Sequence, residues 1–107
     1  NVSSDRHLST DRPGVIQEAN EAAAQLLKTN QVYLIGKPLA VFVHLAERGR
    51  FRQLLIQLQR EGQIRGEELR IFHSERKLDL TAEVTAVAVS DGEGKQGSWR
   101  WLLRDIS

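Results

Sequence analysis

The apolar residues of this chain change their period at Gly66, and that change limits the fold more than any other feature. Before it, Phe51, Leu54, Leu55 and Leu58 stand at i, i+3, i+4 and i+7, one apolar stripe of a helix over roughly Leu45 to Glu61. Arg50, Arg52, Gln53, Gln57 and Arg60 take the wet side, Gly49 weakens the first turns, and Gly62 is placed to end the helix. Beyond Gly66 the period is two. Leu69 and Ile71 alternate with Glu68 and Arg70, and Leu80, Ala82, Val84, Ala86 and Ala88 alternate with Thr81, Glu83 and Thr85. A third alternating run, Ser98 to Arg104, puts Trp99, Trp101 and Leu103 on one inward face. Ser74-Glu75-Arg76-Lys77 and the Gly-rich Asp91 to Gly97 are short connections, which suit antiparallel neighbours.

The first half supplies two more strands. Asn1 to about His7 is polar and patternless and reads as a linker remnant. Leu8-Ser9-Thr10 and Val15 to Ala19 flank Asp11-Arg12-Pro13-Gly14, where Pro and Gly suit a tight turn. Asn20 is a good N-cap for a helix over Glu21 to Leu27, and Asn30 reads as its stop. Pro38 can open a short helical turn through Ala40, Val41, Phe42 and Val43. The predicted order is strand, strand, helices, then three antiparallel strands: an α+β domain spanning all 107 residues.

Composition excludes several chemistries. With no cysteine there is no disulfide, thiolate nucleophile or Cys-ligated metal, which also fits a cytoplasmic setting. Three scattered histidines, His7, His44 and His73, do not make a zinc site. A net charge of +1 gives no reason to expect nucleic acid or an anionic membrane as partner, and no apolar run is long enough to span a bilayer. Arg48, Arg50 and Arg52 interleave with Glu47 and Glu61 and read as a solvated helix face. The serines at 3, 4, 9, 74, 90, 98 and 107 carry no nucleophile motif, and Asp105 beside Arg104 reads as a strand-end ion pair or cap, so no catalytic constellation is present. The chain opens on Asn1 and has no methionine, which suggests a segment of a longer protein.

Four stretches carry a family resemblance. They are Thr10-Asp11-Arg12-Pro13-Gly14-Val15-Ile16 with Glu18-Ala19-Asn20-Glu21-Ala22-Ala23, Ile35-Gly36-Lys37-Pro38-Leu39, Phe42-Val43-His44 with Glu47-Arg48 and Phe51, and the terminal Asp105-Ile106-Ser107. In order and spacing they resemble the PAS domains of signalling proteins, from about Leu8 to Ser107. Leu45 stands where the family usually has Pro, and Ser74-Glu75-Arg76-Lys77 replaces the usual Asp-Gly hairpin. The resemblance implies a five-stranded antiparallel sheet with short helices and one longer helix inserted after the second strand.

It also implies a site: a pocket between sheet and helices, lined here by Leu39, Phe42, Phe51, Leu55, Ala82, Trp101 and Leu103. The residues argue against the cofactors such pockets hold in some relatives. Leu39 stands where the blue-light flavin class needs its thiol, and Leu103 where that class has a strand Gln. Haem in oxygen-sensing relatives takes a His from the long helix, which has none here; only His44 and His73 lie near. Either the two Trp fill the pocket or they form a platform for a planar ligand. The expected role is a sensory and dimerisation module relaying a signal to a C-terminal output domain, in a bacterial-type protein such as a sensor histidine kinase of a two-component system or a cyclic-dinucleotide enzyme. The alternative is a small-molecule sensor with a ligand in the core. Asp105, Ile106 and Ser107 form the expected signal junction, with Ser107 adding a second capping oxygen to that of Asp105. The segment is not expected to catalyse anything. Its expected partner is a second copy of itself, held weakly through an outer sheet face where Val87 and Val89 are exposed.

Overall fold

Each strand of the sheet buries one side, and the side is set by the alternation. The computed structural model describes residues 5–90 and 96–107. The strands are β1 (Arg6–Thr10), β2 (Ile16–Ala19), β3 (Gln63–His73), β4 (Leu78–Ser90) and β5 (Gln96–Asp105), and the helices are α1 (Glu21–Leu26), α2 (Gln31–Leu34) and α3 (Arg48–Glu61). Single 3-10 turns cover Leu39–Phe42, Leu45–Glu47 and Ser74–Arg76. The five strands form one antiparallel sheet in the order β2-β1-β5-β4-β3, with the last strand in sequence at its centre. The expected PAS-type α+β architecture is the observed one.

Register explains the central place of β5. Trp101 lies opposite Leu8 of β1 and Ala86 of β4, and Leu103 lies opposite Val84, so at Trp101 the inward face is flanked by apolar neighbours on both sides. The helices close the other wall, with Leu27, Leu34, Phe42, Phe51, Leu54 and Leu58 all in the buried cluster. Among the described residues, no helix is long and apolar enough to cross a membrane.

Several local expectations are corrected. Strand β1 begins at Arg6, so Arg6 and His7 pair with Leu103 and Leu102 and do not belong to a linker. Asn30 does not stop a helix: its side chain accepts from the Tyr33 N–H at 2.7 Å and starts α2. Leu45–Glu47 forms a 3-10 turn, and the long helix proper starts at Arg48. Leu55 is only partly buried, at the margin of the stripe formed by Phe51, Leu54 and Leu58. Strand β3 starts at Gln63, ahead of Gly66. At φ +63° Gly66 forms a bulge between Ile64 and Glu67, which breaks the alternation without ending the strand. Most of the Gly-rich turn lies outside the described residues.

Candidate functional site

The expected pocket residues do converge. Leu39, Phe42, Phe51, Ala82, Trp101 and Leu103 are buried in one cluster, and Leu55 packs against it. The space between them is occupied by indole rings. Trp99 and Trp101 are fully buried; the Trp101 ring stacks on Phe51 at 5.7 Å between centroids, with 30° between planes. A buried indole N–H needs an acceptor. The Trp101 N–H donates to the Thr10 hydroxyl at 3.0 Å, which in turn donates to the Asp11 carbonyl at 2.9 Å, while the Trp99 N–H donates to the Arg12 carbonyl at 3.0 Å. Both rings are therefore pinned to the β1–β2 turn. None of the seven expected lining residues borders any of the four described clefts. Thr10, which the sequence marks only as a strand end and motif residue, is the buried polar residue among those described.

The motif residues prove to be tie points. Asp11 accepts from the N–H groups of Gly14 (3.0 Å) and Val15 (2.7 Å), and Gly14 takes φ +101°, which favours glycine. The segment before Pro38 is tied to β2: the Gly36 N–H donates to the Ile16 carbonyl and the Ile16 N–H to the Lys37 carbonyl, at 2.8 and 2.9 Å. His44 Nδ1 accepts from the Ala46 N–H at 3.1 Å, and its ring meets Phe72 edge-on at 5.1 Å. Glu47 accepts from the Arg70 N–H at 2.7 Å, which holds the start of α3 against β3.

Asn20 ties the start of α1 to β1. Its side-chain oxygen accepts from the Ala23 N–H (2.8 Å) and the His7 N–H (3.2 Å), and its amide donates to the Asp5 carbonyl (2.6 Å). Asn20→Ala strips a helix cap and a strand tie at once, and is expected to cost about 1–3 kcal/mol in a urea unfolding titration. A cost under about 0.5 kcal/mol would show that water replaces both bonds freely.

His73 packs against Phe42 at 5.7 Å and its Nδ1 is buried without a hydrogen-bond partner. Among the described residues, no group of three or more His, Cys, Asp or Glu is gathered as metal ligands would be. Arg50 pairs with Glu67 at 2.8 Å, and the Arg48 side chain donates to the Val43 carbonyl.

At the C-terminal end, Asp105 accepts from the Ser107 N–H at 2.9 Å. Hydrogen bonds from the backbone and side chain of Ser107, with a smaller effect of the Arg6 charge, hold the Asp105 carboxyl below its ordinary range. Arg104 pairs with Glu83 at 3.3 Å, so the expected ion pair with Asp105 is not made. The Ser107 hydroxyl oxygen accepts from the Thr81 N–H at 2.8 Å, and the Ile106 N–H donates to the Thr81 carbonyl at 2.9 Å. Asp105, Ile106 and Ser107 are thus stitched to β4. On the outer sheet face Leu102 is exposed and Val87 and Val89 are half-buried.

Comparison with known proteins agrees with this architecture. The family model for the PAS fold matches residues 6–106. The PAS domain of a protein from Colwellia psychrerythraea superposes with a TM-score of 0.84 at 19% identity, over 95% of this chain and 86% of that one. The PAS domain of a LuxR-family transcriptional regulator from Burkholderia thailandensis, solved in complex with ethanol, superposes with a TM-score of 0.74 at 14% identity, over 95% of this chain and 88% of that one. No curated protein matches the chain. The architecture is that of a sensory domain. The chain belongs to the PAS family, whose domains are sensory modules and not themselves catalysts.

Proposed function

We propose that this PAS domain is a cytoplasmic dimerisation and relay module of a bacterial-type signalling protein, such as a sensor histidine kinase of a two-component system or a cyclic-dinucleotide enzyme. It passes a conformational change from its sheet through Asp105, Ile106 and Ser107 to an output domain. The observation that carries this reading is the interior: Trp99 and Trp101 occupy the space between sheet and helices and are hydrogen-bonded in place. A core filled by its own side chains leaves partner contacts and the chain exit as routes for a signal. The second reading, a small-molecule sensor, draws support from the ethanol complex of the Burkholderia relative. In either reading the domain carries neither haem nor flavin, and the purified protein is expected to be colourless.

Sedimentation is the direct test of self-association. The domain is expected to form a weak dimer through the outer sheet face, and Leu102→Asp, in the centre of that face, is expected to shift it to monomer without lowering its thermal midpoint. A strictly monomeric species at high concentration, with and without flanking segments, would remove dimerisation from the proposal. A small molecule released in stoichiometric amount on denaturation would favour the second reading.

The junction is tested in the full-length protein. Asp105→Ala removes the acceptor for the Ser107 N–H and loosens the stitch to Thr81. The expected result is a folded protein whose basal output or response is altered. Unchanged output at normal expression would leave the junction with a purely structural role.

A further inference from the structure

Two stretches distant in sequence meet on one face: the end of α1 with the α2 region that follows it, and the turn between β3 and β4. Val32 is 84% exposed, Ile35 48% and Tyr33 37%, three large apolar side chains around the buried Leu34. Two cations meet Tyr33: the Arg76 guanidinium carbon lies 4.1 Å from its ring centroid and the Lys37 ammonium 4.9 Å from it. Arg76 also donates to the Lys28 carbonyl at 3.2 Å, and the Lys28 ammonium donates to the Lys77 carbonyl at 2.8 Å. Among the described residues, none of Lys28, Lys37, Arg76 and Lys77 forms an ion pair. The one acid of the β3–β4 turn, Glu75, borders a separate cleft with Val41, Phe72 and Ser74.

The backbone gives independent support. Among the described residues only two non-glycine residues take positive φ, and they are Lys28 (+57°) and Lys77 (+52°). Left-handed backbone is costly for a residue with a Cβ, and glycine or asparagine fills such positions at least cost. Both positions instead carry lysine, and both lysines belong to this cluster. Strain of this kind, retained in an exposed turn, points to use of the side chain.

We propose that this face docks an acidic amphipathic segment of a partner protein, its carboxylates on Lys28, Lys37, Arg76 and Lys77 and its apolar side chains over Val32 and Ile35. Charge complementarity selects the sign of the partner. The way the cations are held selects a protein over a lipid surface. Lys28 and Arg76 are tied to backbone carbonyls, which fixes them for carboxylates at fixed spacing, whereas a diffuse anionic surface asks for no such placement. The net charge of +1 also gives a membrane field little to attract as a whole. The face lies apart from the outer sheet surface, so it leaves that surface open for a second copy.

The test pans a library of short peptides alternating Asp or Glu with Leu, Val or Phe against this chain, alongside a matched library carrying Lys and Arg. Acidic members are expected to be enriched, and a synthetic peptide of the enriched class to bind more weakly as salt rises. The double variant Arg76→Glu, Lys77→Glu is expected to weaken that peptide at least about tenfold, and Val32→Asp to weaken it as well. Lys77→Gly separates binding from folding: its thermal midpoint is expected to hold or rise while peptide affinity falls. Equal enrichment of both libraries overturns the proposal, as does acidic enrichment that survives the charge reversal. Binding to phosphatidylglycerol vesicles without peptide binding also overturns it, and would assign the face to a lipid surface.

Discussion

Trp101→Ala is expected to cost about 3–5 kcal/mol, the range for truncating a large buried aromatic. Three losses act together: the burial of the ring, its stack on Phe51, and the N–H donated to Thr10. Against a total stability of about 5–15 kcal/mol for a domain of this kind, that is about a fifth of the whole or more. Trp101→Phe keeps much of the ring and drops the hydrogen bond, so about 1–3 kcal/mol is expected there. Denaturant titration of both variants reads the two numbers. Indole added to the alanine variant is expected to restore part of the loss by entering the vacated space, as apolar cavities bind apolar ligands. A cost below about 1 kcal/mol for Trp101→Ala would show that the interior collapses around the gap, and would weaken the case for a core filled by its own side chains.

That experiment bears on function because the two readings differ in what occupies the middle of the fold. If a ligand occupied it, a truncated Trp would enlarge an existing site and cost less. With Trp101 bonded to Thr10 and Trp99 to the Arg12 carbonyl, the centre of the sheet is coupled to the β1–β2 turn. Trp101, Leu103 and Asp105 lie on one strand, β5, along which the proposed relay would run.

The fold was legible where one face of an element is buried and the other wet. Leu69 and Ile71 in β3, the Ala82/Val84/Ala86 row in β4 and the Trp99/Trp101/Leu103 row in β5 repeat at two because neighbouring side chains point to opposite sides of a sheet. It was illegible where one residue type serves two purposes. Asn30 suits either end of a helix, and Gly66 marks a bulge as readily as a boundary; only the partner strand, with Thr85 accepting from the Gly66 N–H, decides. The inward lining residues followed from the period, whereas the filling of the space did not. Phe51 meets Trp101 across fifty positions of sequence, and no local pattern encodes the volume that pair takes up. The cationic face was hidden for the same reason: Lys28, Lys37, Arg76 and Lys77 are unremarkable one by one, and only the contact of the β3–β4 turn with α1 and α2 assembles them.

Leu54→Ala is the second large expected effect, at about 2–5 kcal/mol, because Leu54 sits on the buried face of α3 against the sheet. Ile56, on the same helix, is exposed, and Ile56→Ala is expected to change stability by less than about 0.5 kcal/mol. The pair isolates burial from helix propensity, since both substitutions place alanine, the best helix former, in mid-helix. The comparison also probes how firmly the helical wall is held. α3 packs on β3 and β4, and its Phe51 carries the ring on which Trp101 stacks, so loosening α3 frees the central strand as well. In the full-length protein Leu54→Ala is therefore expected to disturb output at temperatures where the domain is still folded, and Ile56→Ala to leave it unchanged. Equal effects of the two substitutions on unfolding free energy would mean that the inward stripe of α3 is misassigned, and with it the wall that holds β5 in place.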